Sequence, residues 1–71
     1  MVPFGIRAGR VTGFDEERGL GTVTAEGGGQ LPFHCTAIAG GSRSIDVGTQ
    51  VVFETAPGPG GRWWATQVTP C

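Results

Sequence analysis

The chain contains no lysine. Its five basic residues are all arginine and stand against six acidic ones, for a formal net charge of −1 over 71 residues. A strongly basic footprint, the usual global sign of a nucleic-acid-binding protein, is therefore missing. The balance leaves open a local arginine stripe on one face, with non-specific affinity limited by the few phosphates it could neutralise. Cysteine is scarce too. Cys35 and the final Cys71 are too few for a disulfide framework, and both are expected as free thiols in a reducing cytosol, Cys71 on a mobile tail. One histidine and two cysteines do not make a usual zinc ligand set, so neither a metal nor a cofactor is expected. No window approaches the roughly 18 apolar residues of a membrane span, and the opening MVPFGIRAG has no apolar stretch of the signal-peptide kind. The expectation is a soluble, cytoplasmic chain with no membrane partner.

Glycine is plentiful: 14 glycines and 5 prolines argue against long helices and for short strands joined by tight turns. With 38% hydrophobic residues the composition is globular. A chain this short buries only about 60% of its unfolded surface, so residues 1–71 are read as one domain with a core of about 6–69. Apolar residues fall into five runs. RAGRVTGF (7–14) and GLGTVTA (19–25) flank the charged turn DEER; QLPFHC (30–35) follows EGGG; TQVVFET (49–55) and RWWATQVT (62–69) flank APGPGG. Runs rich in Val, Thr, Phe and Trp between Gly or Pro read as β-strands. The longer segment TAIAGGSRSIDVG offers one helical turn at Thr36–Ala39, stopped at Gly40-Gly41, with Ile38, Ile45 and Val47 as anchors into the core.

Five strands with three tight turns and one longer crossover predict a small closed antiparallel barrel, because closure removes exposed sheet edges. Alternation assigns its interior to Val11, Val23, Leu31, Phe33, Ile38, Val51, Phe53 and Val68. Pro32 and His34 then point outward, and Pro32, which lacks an N–H, needs an edge or a bulge.

The pieces in order resemble the bacterial cold-shock domain. Gly9-Arg-Val-Thr-Gly-Phe-Asp15 is similar to that family's Gly-x-Val-Lys-Trp-Phe-Asn, and Arg18-Gly-Leu-Gly-Thr-Val23 to its Lys-Gly-Phe-Gly-Phe-Ile. Leu31-Pro-Phe-His-Cys-Thr-Ala-Ile38 is similar to Val-Phe-Val-His-Phe-Ser-Ala-Ile, and Val47–Glu54 and Ala65–Val68 continue the match. The resemblance implies an all-β, five-stranded antiparallel OB-fold barrel that binds single-stranded RNA or DNA. It also locates the departures. Positions where the family carries base-stacking rings hold Gly13, Leu20, Thr22, Pro32 and Cys35, and a further loop ring is replaced near Ser42. Phe14, His34 and the cation Arg18 survive. Stacking is worth roughly 1–3 kcal/mol per base. Five lost rings at the low end remove on the order of 5 kcal/mol, three to four decades in dissociation constant.

The resemblance thus implies weak, low-selectivity single-stranded nucleic-acid binding, with Arg10, Phe14, Arg18, Leu20, His34, Arg62, Trp63 and Trp64 as the candidate residues. The alternative is a protein-interaction module that reuses the barrel face after nucleic-acid binding is lost. Arg10, Arg18, Arg43 and Arg62 form a stripe in the first reading and ordinary solvated charge in the second. Alternation from Val68 puts Trp64 inside and Trp63 outside, whereas the family pattern puts Trp64 at a ligand-contacting glutamine; a bulge after Gly60-Gly61 would reconcile the two. His34 and Cys35, as strand neighbours, point to opposite faces, which argues against a thiol–imidazole pair. No pair of catalytic groups converges, so no enzyme activity is expected.

Overall fold

The computed structural model describes residues 6–41 and 44–71. Five strands follow in order: β1 (Arg7–Asp15), β2 (Leu20–Ala25), β3 (Gln30–His34), β4 (Gln50–Gly58) and β5 (Arg62–Pro70). All neighbours are antiparallel, in the order β3-β2-β1-β4-β5. The two outermost strands, β3 and β5, come together, and Ile38 just beyond β3 bridges to Val68 in parallel fashion. The sheet thereby curls into the five-stranded OB-type barrel. Pro32 sits on β3, at the end of the strand order, where its missing N–H interrupts no second ladder. Among the described residues no helix is long and apolar enough to cross a membrane.

All eight residues assigned to the interior by alternation are buried, joined by Ala25 and Ala65. The two core rings, Phe33 and Phe53, each contribute on the order of 2–3 kcal/mol by leaving water. Phe33 reaches its place only because of what lies beside it. A Cβ on Gly21 would come within 2.6 Å of Phe33 Cε1 and 2.9 Å of Phe14 Cδ1. The bare glycine backbone therefore makes the space in which Phe14 stacks on Phe33, ring centroids 6.0 Å apart at an interplanar angle of 20°.

Two bulges break the period of two. In β1, Val11 pairs with Val23 and Gly13 with Thr22, leaving Thr12 as an extra residue. Strict alternation from Val11 would turn Phe14 outward; the bulge inverts the phase and sets it opposite Gly21. In β5, Gln67 and Val68 together stand opposite Phe53 alone. Gln67 takes a left-handed backbone (φ 52°), the one non-glycine residue to do so among those described, at a cost of about 1 kcal/mol. Ala65 and Val68, three residues apart, consequently both face the interior. The phase change that sequence reasoning placed after Gly60-Gly61 lies instead at Gln67, so Trp64 does not point into the barrel.

Three further expectations are corrected, one at the C-terminus and two in the crossover. The crossover's helical turn is split: one 3-10 turn spans Cys35–Ala37, Ile38 is extended where it bridges to β5, and a second turn spans Ala39–Gly41. Ile38 is buried and Ile45 packs on the core, but Val47 is 62% exposed. The backbone anchors that end, through hydrogen bonds from Gly48 N–H to Val11 O (2.7 Å) and from Val11 N–H to Thr49 O (3.0 Å), which leaves Val47 at the corner of a turn. Cys71, expected on a mobile tail, donates its N–H to Gln50 O (2.9 Å) and prolongs the β4–β5 ladder. Ser42 and Arg43 lie outside the described residues.

Replacing Gly21 by Ala should lower stability by about 1–3 kcal/mol, because the new methyl must displace two aromatic rings. Urea denaturation of the variant checks this, and an unchanged midpoint would mean that the rings have room to move.

Candidate nucleic-acid interface

The outer face of β1, β2 and β3 is built by pairing. Gly13, Thr22 and Pro32 stand in one row across the three strands, and Asp15, Leu20 and His34 in the next. Between them and the tip of the β4–β5 hairpin opens a cleft of about 470 Å³, whose walls include Phe14, Leu20, Thr22, Pro32, Arg62 and Trp64. Leu20, Thr22 and Pro32 are half-buried, so the floor is smooth and moderately apolar where rings would stand in the resembling family.

Trp64 supplies the largest wall. Its indole lies against the backbone of Gly58, where a Cβ would come within 2.9 Å of Nε1. The indole N–H donates to Pro59 O at 3.0 Å. With its polar edge satisfied inside the hairpin, the ring is locked in orientation and keeps one flank for the cleft. The glycine-rich APGPGG segment thus seats an aromatic ring as well as turning the chain. Phe14 is half-buried, stacked with Phe33, and lines the cleft from there.

The charges are arranged locally. Asp15 lines the cleft, and its Oδ1 accepts from the backbone N–H groups of Glu17 (3.0 Å) and Arg18 (3.3 Å). Its Oδ2 stands 3.8 Å from Arg18 Nε, with both side chains mostly exposed, a pair worth about 0–1 kcal/mol. The carboxylate thus holds the β1–β2 turn and partly occupies the guanidinium beside the cleft. The local sequence signal for this role of Asp15 is an aspartate two and three residues before free turn amides.

His34 is exposed at the border of the cleft, opposite Leu20. Thr36 N–H donates to its Nδ1 (3.3 Å), and Nδ1 lies 3.0 Å from Thr36 Oγ1. A neutral ring held this way carries its proton on Nε2. The strand ends at His34, so Cys35 opens the 3-10 turn instead of taking the opposite face, and its Sγ comes to 3.9 Å from Nδ1. The expectation that the two side chains stay apart is therefore corrected.

Of the eight candidate residues, Phe14, Leu20, Arg62 and Trp64 line the cleft, while His34 and Arg18 flank it. Arg10 is on another side, in a groove with Thr12, Thr24, Glu26 and Gln50. Trp63, 59% exposed, faces a third groove beyond the β2–β3 turn. Among the described residues no cluster of three or more His, Cys, Asp or Glu could hold a metal ion.

The family model described as "'Cold-shock' DNA-binding domain" matches residues 7–71. The chain belongs to the cold-shock domain family. Cold shock-like protein CspE of Bacillus anthracis is 41% identical over 51 residues, covering 70% of this chain and 76% of its own. Cold shock protein CspB of Geobacillus stearothermophilus is 39% identical over 54 residues, covering 75% and 82%. Among solved structures, Drosophila Unr CSD456 superposes with a TM-score of 0.77 at 24% identity, over 97% of this chain and 28% of that one, a likeness of fold. A cold-shock domain is a nucleic-acid-binding domain, and this one keeps the barrel while its outer rows hold Leu20, Thr22 and Pro32.

Asp15→Asn should keep the turn, since the amide oxygen still accepts from both N–H groups, while taking the negative charge out of the cleft. Affinity for single-stranded oligonucleotides should rise a few-fold with little change in melting temperature. Asp15→Ala should instead cost about 1 kcal/mol of stability. Paired melting curves and oligonucleotide titrations check both.

Proposed function

We propose that this cold-shock domain binds single-stranded RNA or DNA weakly and with little sequence selectivity, through the cleft face. The observation that carries the reading is the convergence of Phe14, Leu20, Trp64 and the guanidinium of Arg62 on one open cleft of nucleotide scale. Trp64 and Leu20 contact base faces, Phe14 a base edge, His34 donates from Nε2, and Arg62 and Arg18 meet phosphates. Base–aromatic stacking tolerates every base, and few donors aim at base edges, so discrimination is slight. Affinity lies about three to four decades below that of a barrel with all its outer rings.

The Arg count limits the electrostatic part. With two or three phosphates neutralised, log K should fall against log salt with a slope of about −1.4 to −2 for a single strand. Titration with oligo-dT or oligo-U at low salt should quench tryptophan emission, and 0.5 M salt should largely abolish the effect. No change in emission or amide shifts at low salt would overturn the reading. Binding of a protein partner that survives both nuclease and salt would instead favour an interaction module.

A further inference from the structure

The third groove, about 450 Å³, lies beyond the β2–β3 turn and is walled by Arg7, Gly28, Gly29, Thr55 and Trp63. Three features bear on what it could hold. Its single charged lining residue is Arg7, whereas the cleft carries Asp15 beside Arg62 and the second groove carries Glu26 beside Arg10. Among the described residues no carboxylate pairs with Arg7. Trp63, at 59%, is the most exposed aromatic ring among the described residues. Gln30 and Leu31 line both this groove and the cleft, so the two meet at the start of β3. The adjacent tryptophans of β5 therefore serve two sides of one path: Trp64 faces the cleft and Trp63 the groove that continues it.

We infer that the Arg7–Trp63 groove is a second nucleotide subsite, in which a base of the same single strand stacks on Trp63 while Arg7 meets its phosphate. The inference rests on the proposed nucleic-acid binding and extends it. An unopposed cation beside an exposed indole fits an anionic aromatic ligand, and continuity with the cleft makes the occupant the strand already bound there. A strand that fills only the cleft cannot reach Trp63; a longer one crosses Gln30 and Leu31 and engages it.

The test uses the 71-residue chain and two oligonucleotides: dT3, shorter than the roughly 4–16 nucleotides that a single-strand barrel covers, and dT8, within that span. Trp63→Ala should weaken dT8 at least fivefold and leave dT3 unchanged, and Trp63→Phe should restore most of the loss. Arg7→Gln should reduce the salt slope for dT8 by about 0.7 and leave that for dT3 unchanged. Equal loss for both lengths, or none for either, would overturn the subsite while leaving cleft binding intact. If the wild-type chain binds neither oligonucleotide, the proposed function falls and takes the subsite with it. If Trp63→Ala abolishes only self-association in sedimentation, the groove is a protein contact and the inference is wrong.

Discussion

The close approach of Phe33 to Gly21 is the contact on which the rest of the molecule depends. Phe33 is fully buried and fills the barrel between β2 and β1, and it does so only because its neighbour has no side chain. The same gap receives Phe14, which the bulge at Thr12 has turned toward it. One glycine thus joins the core to the binding face: it lets one of the two interior rings pack, and it sets the edge of the cleft. This explains why β2 holds a glycine at position 21 although the positions beside it, Leu20 and Thr22, carry no rings. The glycine answers to packing, the residues beside it to a ligand, and the two constraints vary independently.

The barrel was largely legible in the sequence because its determinants are local. Period-two alternation named Val11, Val23, Leu31, Phe33, Val51, Phe53 and Val68 as interior, and Gly/Pro punctuation marked the turns. What escaped depends on the partner strand. A bulge is a mismatch of register between two strands, so neither the extra residue at Thr12 nor the left-handed Gln67 shows in its own segment. Those two residues decide which way Phe14 and the tryptophans point. The exposure of Val47 has the same kind of origin, since that turn is fastened by backbone hydrogen bonds that no side-chain pattern reports. Four of the eight candidate residues line the cleft and two flank it; the other two, Arg10 and Trp63, fall in other grooves because alternation alone cannot tell which outer side of a curled sheet a residue faces.

The distribution of charge is as informative as its sum. With five basic and six acidic residues, no long-range field draws a polyanion to the protein. Asp15 illustrates the local compromise: its Oδ1 is the acceptor that closes the β1–β2 turn, yet the charge it carries stands in the cleft beside Arg18. The aromatic surface has shifted in parallel. The rows of β1 to β3 are bare of free rings, and the two indoles sit on β5, the half-buried Trp64 fixed by Pro59 and Gly58 and the exposed Trp63 open to solvent.

The central claim is that fold and binding strength reside on separate residues of the same strands. It is tested most directly by giving the rings back: the dissociation constant of a Leu20→Phe/Thr22→Phe double variant for a single-stranded oligonucleotide, set against that of the unaltered chain at the same salt. Two outward rings on an unchanged barrel should tighten binding at least about tenfold, with a melting temperature within a few degrees. An intact barrel whose affinity does not change would contradict the account.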